Sequence, residues 1–490
     1  MSLKVYNSLT REKESFKPIN EGSVGMYVCG PTVYGDAHLG HAKSYVSFDI
    51  IARYIEYLGY DLTYVQNITD VGHLTDDADE GEDKLAVAAK KQKKHPMALA
   101  EYYTASYFED MDKLNCRRPD ISPRAAGHIP EQIELIEKLI DAGHAYEVNG
   151  SVYFDVTSFK GYGKLSGRNL EDMLSGTRVG VKSEKKHPAD FALWKKAEPN
   201  HIMQWKSPWG MGYPGWHLEC SVMSMKYLGD TIDIHGGGLE NKFPHHECEI
   251  AQSEAVTECP FVKYWLHNNM VTVDGTKMGK SLNNFINLKQ VFSGSHERLS
   301  KAYDPLAVRM LILNSHYRSP LDFSDAALSA AESGLEKISA AVKAVRRAAE
   351  KAPEGEINQK VQKQLDGFRH RFEKAMNDDF NTSVALSVVY EMVKLAEKEA
   401  GKANKATLQA VDELFSKLGG DVLGIVRESY PEDSKALTEL ADYLMQDVIE
   451  KRAKARAEKN FEEADRIRDE MAKFGVTFKD TPNGTEWVIQ

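Results

Sequence analysis

Two imidazoles and two ammonium groups are the first chemistry this chain offers. His38 and His41 lie in Pro31-Thr32-Val33-Tyr34-Gly35-Asp36-Ala37-His38-Leu39-Gly40-His41, and Lys277 and Lys280 lie in Lys277-Met278-Gly279-Lys280-Ser281. The first string follows a strand pattern at 24–28 and leads into a helix-periodic run at 44–58. That places both histidines at the mouth of a helix, where free N–H groups and the helix dipole favour phosphate. The second string carries its two cations on a glycine-containing loop. Brought together, the four groups would stabilise the charge that builds on a triphosphate as its α-phosphorus is attacked.

A second set of side chains has the character of metal ligands. Cys29 ends the first strand pattern, and Cys220 closes Pro214-Gly215-Trp216-His217-Leu218-Glu219-Cys220. If Pro244 opens a helix, His245 and Glu249 share one of its faces. Two thiolates, an imidazole and a carboxylate suit Zn²⁺. The same residues also fit buried free cysteines and a surface His–Glu contact, and by softness alone Cys248 stands ahead of Glu249 as a ligand. The five cysteines (Cys29, Cys116, Cys220, Cys248 and Cys259) are odd in number and scattered, which argues against a disulfide framework.

The elements that must position these groups follow a two-part plan. Strand patterns at 24–28 and 62–67 alternate with helical patterns at 44–58 and 96–114. This is βαβ order and implies a parallel sheet, with Cys29, Gly30 and Thr69 at the carboxyl ends of its strands. From about 117 the texture becomes short strands among glycine-rich turns, as an insertion would read. Sheet-like sequence returns at 231–238, 261–267 and 270–274. After Pro320 come helical runs at 326–351, 360–377, 382–400 and 405–418, the pattern of a bundle. Two more helices within 434–474 and a hairpin at 476–489 close the chain.

A chain of 490 residues is too long for one core. With 42% hydrophobic and 28% charged residues it reads as an ordinary globular protein. Nothing reads as a signal peptide, and no apolar stretch approaches the ~18–20 residues of a membrane span, so the expected location is the cytoplasm, without membrane contact. The net charge of −11 does not advertise a nucleic-acid binder, although a local basic patch suffices for RNA.

The His38/His41 and Lys277/Lys280 strings resemble the HIGH and KMSKS signatures of class I aminoacyl-tRNA synthetases. Over nearly its whole length the chain is similar to the cysteinyl-tRNA synthetase family. The supporting strings are Tyr27-Val28-Cys29-Gly30-Pro31-Thr32, Asn67-Ile68-Thr69-Asp70, Asp190-Phe191-Ala192-Leu193-Trp194-Lys195, Gly215-Trp216-His217-Leu218-Glu219-Cys220, Gly236-Gly237-Gly238 and Pro244-His245-His246-Glu247. The resemblance implies an α/β fold. A Rossmann-like sheet in two halves (1–116 and 206–265) is split by a connective insertion (117–205). A lysine-loop and stem-contact region (266–320), a helical bundle (321–425) and a small anticodon-binding module (426–490) follow.

It also implies a zinc site at Cys29, Cys220, His245 and Glu249, which demotes Cys248. ATP with Mg²⁺ would meet Thr32, His38, His41, Gly236, Gly237, Lys277 and Lys280, and the amino acid L-cysteine would meet Gly30, Thr69 and Trp216. The implied activity joins cysteine to the 3′ end of tRNA(Cys), by a chain expected to be a monomer. A serine side chain nearly matches cysteine in size, and packing alone discriminates by only ~1–3 kcal/mol, so a thiophilic metal is the implied selector.

Three strings depart from the family pattern: Gly279 stands where serine is usual, Glu240 follows Gly238-Leu239 where aspartate is usual, and Val71-Gly72-His73-Leu74 replaces an acidic continuation. The basic segment Lys451, Arg452, Lys454, Arg456 and Lys459, with Trp487 beyond it, is expected to face RNA. Two other functions remain in view. A cysteine:amino-sugar ligase of the mycothiol type would lack the full anticodon module, and a non-catalytic RNA-binding relative would have lost the histidines and lysines.

Overall fold

The computed structural model describes residues 2–71, 84–170, 184–199, 201–279, 282, 284–430, 434–458, 460–474, 476–481 and 484–489. Lys280, Ser281, Lys459 and the departure at 72–74 therefore lie outside the described residues, and of Trp487 only the backbone is described. The chain divides into two compact units, Met1–Arg427 and Glu428–Gln490.

The first unit opens with the hairpin β1 (Lys4–Asn7) and β2 (Glu12–Ser15), then β3 (Ser23–Val28), α1 (Leu39–Tyr57), β4 (Asp61–Gln66), α2 (Lys84–Gln92) and α3 (Pro96–Lys113). The insertion contributes α4 (Ile129–Asp141), β5 (Ala145–Val148), β6 (Ser151–Phe154), β7 (Phe191–Lys196), β8 (Trp205–Ser207) and β9 (Gly210–Pro214). The chain returns through α5 (Trp216–Leu228), β10 (Ile232–Gly238), α6 (His245–Thr257) and β11 (Val262–Asn268). Next come β12 (Val271–Val273), β13 (Thr276–Lys277), α7 (Leu288–Ser293), α8 (Pro305–Leu313) and β14 (Leu321–Phe323). The bundle is α9 (Asp325–Lys351), α10 (Gln359–Met376), α11 (Thr382–Glu399) and α12 (Lys405–Phe415).

The expected parallel sheet is present, with order β11-β10-β3-β4. From β3 the chain moves outward through α1 to β4. From β10 it moves the other way, through α6 to β11. The switch point between β3 and β10 is where such sheets open a crevice for ligands. Val28 sits level with Gly236 and Gln66, and Gly238 with Asn268, so Cys29, Asn67 and the glycine run share the carboxyl edge. The insertion folds as an antiparallel sheet of order β5-β6-β7-β9-β8 that runs on to Pro214.

The bundle helices start where their sequence caps them. The side chains of Ser324, Asn358, Asn381 and Asn404 each accept a backbone N–H from the first turn of α9, α10, α11 and α12. Leu328, Leu335, Ile338, Val342 and Val345 form the buried stripe of α9, at the spacing of one helix face. The last run does not stay α-helical to 418: Ser416–Val422 widens into a π-helical turn around Gly419 and Gly420. The second unit carries α13 (Ser434–Ala457), α14 (Phe461–Ala472) and the hairpin β15 (Val476–Thr481) with β16 (Gly484–Ile489), in which Phe478 pairs with Trp487.

Candidate functional site

The helix that carries the two histidines begins at Leu39, five residues before the periodic run at 44–58, and the histidines themselves are the reason. His38 is the N-cap of α1: its Nδ1 accepts the N–H groups of Gly40 and His41, at 3.0 and 3.3 Å. His41 in turn accepts the His38 N–H on its own Nδ1 at 3.3 Å, which closes a reciprocal capping box. Both Nδ1 atoms are acceptors, so each neutral ring carries its proton on Nε2 and can donate it outward. The rings stack at 3.8 Å, and burial pushes the pKa of His41 down to about 4. A side chain at Gly40 would meet the His38 ring at 2.8 Å, so glycine is the residue that lets the cap close.

The second lysine-bearing string, some 240 residues further on in sequence, is held against this cap. Leu39 donates its N–H to the Ile286 carbonyl and Leu288 donates to the Ala37 carbonyl, at 3.3 and 2.8 Å. Phe285 packs edge-on to the His38 ring. Asn284 is buried and holds the loop itself, accepting the Gly279 N–H at 2.8 Å and donating to the Lys277 carbonyl at 3.1 Å. Lys277 is exposed on β13 and its backbone carbonyl is held by Asn284, while Lys280 lies outside the described residues.

The proposed metal residues meet from three segments. Cys29 follows β3, Cys220 lies on α5, and His245 and Glu249 lie one turn apart on α6, which begins directly after Pro244. One ligand atom from each lies within 4.8 Å of the others. The Cys29 and Cys220 sulfurs are 3.8 Å apart, Glu249 Oε1 is 3.8 Å from Cys29 Sγ, and His245 Nε2 is 3.1 Å from Glu249 Oε1. Cys248 lies in the core with Leu218, its sulfur near the Tyr162 hydroxyl, and among the described residues belongs to no such group.

The electrostatics fit a cation. Burial pushes the Cys29 thiol well up, and Cys220 and Glu249 push it further. Cys220 is raised by burial too, and burial also raises Glu249, with His235 partly offsetting it. Three acidic groups therefore sit together where their charged forms lack compensation, and a divalent cation would supply it.

The sequence reading missed the layer of histidines behind these residues. His235 Nε2 and Glu249 Oε2 are 2.8 Å apart, as are His246 Nδ1 and His267 Nε2, and His267 Nδ1 reaches the Ser8 hydroxyl at 2.8 Å. His246 Nε2 is 3.2 Å from Cys29 Sγ, and Cys29, His235, His246 and Glu249 form a second, overlapping group. They come from β10, α6 and β11, so no local spacing marks them as a set; only the doublet His245-His246 hinted at one.

The remaining expected residues lie around this cluster. Gly30 abuts the Asn67 carbonyl so closely that a Cβ would overlap it. Thr69 bridges Thr32 across the carboxyl edge. Trp216 is half-buried and stacks on the His245 ring at 4.3 Å, so it is not an ordinary core aromatic. In the glycine run, a Cβ at Gly236 would strike Phe48 of α1, one at Gly237 the His246 ring, and one at Gly238 the Glu240 carboxylate. Close packing thus demands Gly236 and Gly237 before any ligand does, whereas the exposed Glu240 side chain could give way at Gly238.

Of the basic segment in the second unit, Lys451 pairs with Asp447, and the Arg452 guanidinium lies over the Phe478 ring. Among the described residues, no helix is long and apolar enough to cross a membrane.

Residues 15–333 match the tRNA synthetases class I (C) catalytic domain, 371–427 the DALR domain, and 445–487 the cysteinyl-tRNA ligase anticodon binding domain. The chain is 55% identical to the cysteine–tRNA ligase of Chlorobaculum tepidum and 56% identical to that of Chlorobium luteolum, over 99% of each chain in both cases. It is 48% identical to the cysteine–tRNA ligase of Deinococcus radiodurans, over 99% of this chain and 96% of that one.

Among solved structures, the Agrobacterium radiobacter LeuRS–tRNA–LeuAMS complex aligns with a TM-score of 0.59 at 13% identity, covering 84% of this chain and 85% of that one. Mycobacterium tuberculosis methionyl-tRNA synthetase with methionyl-adenylate aligns at 0.57 and 14%, covering 83% and 92%. At such identities these two speak for the fold alone. The catalytic-domain match and the near-complete alignments at about half identity or more place the chain in the class I cysteinyl-tRNA synthetase, or cysteine–tRNA ligase, family.

Proposed function

We propose that the protein activates L-cysteine with ATP and transfers it to the 3′ end of tRNA(Cys), in the cytoplasm and as a monomer, with a zinc site that rejects serine. The observation that carries this reading is the convergence of Cys29, Cys220, His245 and Glu249 beside Trp216 and the carboxyl edge of the sheet. In the first step the cysteine carboxylate attacks the α-phosphorus of ATP, and the bond to pyrophosphate breaks. In the second a terminal tRNA hydroxyl attacks the adenylate carbonyl, and AMP leaves.

His38 and His41 donate their Nε2 protons to the phosphates. Both rings are fixed in that tautomer by the capping box, so no reorganisation is needed as charge builds. Lys277 and Lys280 close over the departing pyrophosphate. Thr32, Gly236 and Gly237 border the ATP, which brings Mg²⁺ with it, while Gly30, Thr69 and Trp216 line the cysteine pocket. Bound at the four residues, zinc supplies a thiophilic position that takes the substrate sulfur as thiolate and holds a hydroxyl poorly. The imidazoles of His235 and His246 act as the outer support of that set. Positioning and charge stabilisation suffice, without a covalent enzyme intermediate.

The anticodon-domain match over 445–487 weighs against the amino-sugar ligase reading. The test is charging of a tRNA(Cys) transcript with labelled cysteine. Cysteine-dependent charging with none from serine supports the proposal, and adenylation that proceeds without transfer to tRNA contradicts it.

A further inference from the structure

At the edge of the proposed cysteine pocket a fully buried amide, Asn67, joins three segments. It follows β4, and its Oδ1 accepts the N–H of Gly30, the residue after Cys29, at 2.7 Å. A backbone N–H can only donate, so the atom facing Gly30 is the amide oxygen, and the other end of the side chain is the NH₂. That NH₂ donates to Thr69 Oγ1 at 3.0 Å. The Thr69 backbone is tied on both sides, with its N–H given to the Pro31 carbonyl and its own carbonyl taking the Val33 N–H, at 3.1 and 3.2 Å. Only the hydroxyl direction remains to be chosen, and Asn67 chooses it. One lone pair of Oγ1 is occupied by the amide, so the hydroxyl hydrogen and the second lone pair turn away from Asn67.

We propose that Asn67 is a positioning residue for the amino-acid substrate: it orients the Thr69 hydroxyl and anchors the Gly30 backbone, so that cysteine meets a preset hydrogen-bonding edge. The inference rests on the reading that Thr69 and Gly30 line the cysteine pocket. A residue of this kind acts on substrate binding without touching the substrate. Its loss reads out in the cysteine KM, with the ATP KM and the metal content unchanged. Cys220 Sγ lies 3.8 Å from Asn67 Oδ1, so a role confined to propping the metal ligands is the competing explanation, and metal content separates the two.

The experiment is a double-mutant cycle on the metal-loaded full-length protein, with Asn67→Ala, Thr69→Val and the double variant. Zinc per chain, KM for cysteine and for ATP in pyrophosphate exchange, and equilibrium dialysis of labelled cysteine are measured for each. Asn67→Ala is expected to weaken cysteine roughly five- to tenfold, the worth of one neutral hydrogen bond, with zinc and the ATP KM retained. Thr69→Val is expected to lose a similar or smaller factor, and the double variant no more than Asn67→Ala alone. Asn67→Asp covers the case in which the alanine variant fails to fold. Its carboxylate still accepts the Gly30 N–H but would also accept the Thr69 hydroxyl hydrogen, reversing that hydroxyl, so it should show a cysteine-specific loss through Thr69 alone.

Normal cysteine binding in Asn67→Ala beside a loss in Thr69→Val overturns the inference and leaves the pocket reading standing. Multiplying losses in the double variant, or zinc lost in step with affinity, also overturn it. Unchanged binding in Thr69→Val removes the pocket reading, and the inference with it.

Discussion

At the scale of single residues, the account turns on groups whose neighbours leave them one option. Gly40 is such a residue, because a methyl group there would press on the His38 ring that caps α1. Gly40→Ala should displace the imidazole by part of an ångström, lowering cysteine-dependent pyrophosphate exchange by about 10²-fold while the thermal midpoint barely moves. An unchanged exchange rate would remove the capping box from the mechanism. His41 gives a pH expectation. Its pKa is lowered by burial to about 4, so the ring stays neutral, and its Nε2 proton stays available, through the whole range above about pH 5. The exchange profile between about pH 5 and 8 should then carry no inflection that His41→Asn abolishes. An inflection near the ordinary imidazole value that disappears in that variant would contradict the assignment.

Among elements, much of the first unit's plan was legible and its joints were not. The strand and helix periodicities of the sheet halves and the bundle stand in the sequence, because each element buries one face against a neighbour and Ser or Asn caps mark the helix starts. The histidines' place at the mouth of α1 was legible but their capping role was not, since histidine is an unusual cap and the His38–His41 reciprocity exists only once the backbone turns. The histidine layer was hidden because its members are distant in sequence. The fastening of α1 was hidden for the same reason.

Asp49 of α1 accepts from fully buried Arg309 of α8 at 2.5 Å and from Arg53 at 2.8 Å. Arg309 also donates to the carbonyls of Leu423, Leu114 and Asn115. Arg309→Met leaves the Asp49 charge buried with one partner fewer and should cost ~3–5 kcal/mol in urea unfolding. Burial alone would raise the Asp49 carboxyl, but Arg309 and Arg53 more than offset it and hold it below its usual value. Its contribution is therefore present above an unfolded-state pKa of about 4 and fades as pH falls through the lower folded-state value. The stability gap between the wild type and Arg309→Met should accordingly narrow in acid, leaving the part due to the three carbonyls that Arg309 serves. A gap that stays constant or widens as the pH falls would contradict this account of the pair.

For the whole molecule, adenylation and anticodon binding are assigned to different units. The sheet, the capped histidines, the described part of the lysine loop and the candidate metal residues all belong to Met1–Arg427, and the anticodon-domain match lies within Glu428–Gln490. A chain ending at Arg427 should keep cysteine-dependent pyrophosphate exchange within a few-fold and lose at least about tenfold in kcat/KM for tRNA(Cys), since the second attachment to the RNA is gone. Equal losses in both assays would show that the tail supports the first unit's fold instead.

The central claim is that a metal held by Cys29, Cys220, His245 and Glu249 selects the substrate by its sulfur. It is tested most directly by measuring zinc content together with exchange driven by cysteine and by serine, in the wild type and in Cys220→Ser. The account predicts about one zinc per chain and cysteine-only exchange in the wild type, with both lost in the variant. Full cysteine activity and intact rejection of serine in a protein free of zinc would contradict it.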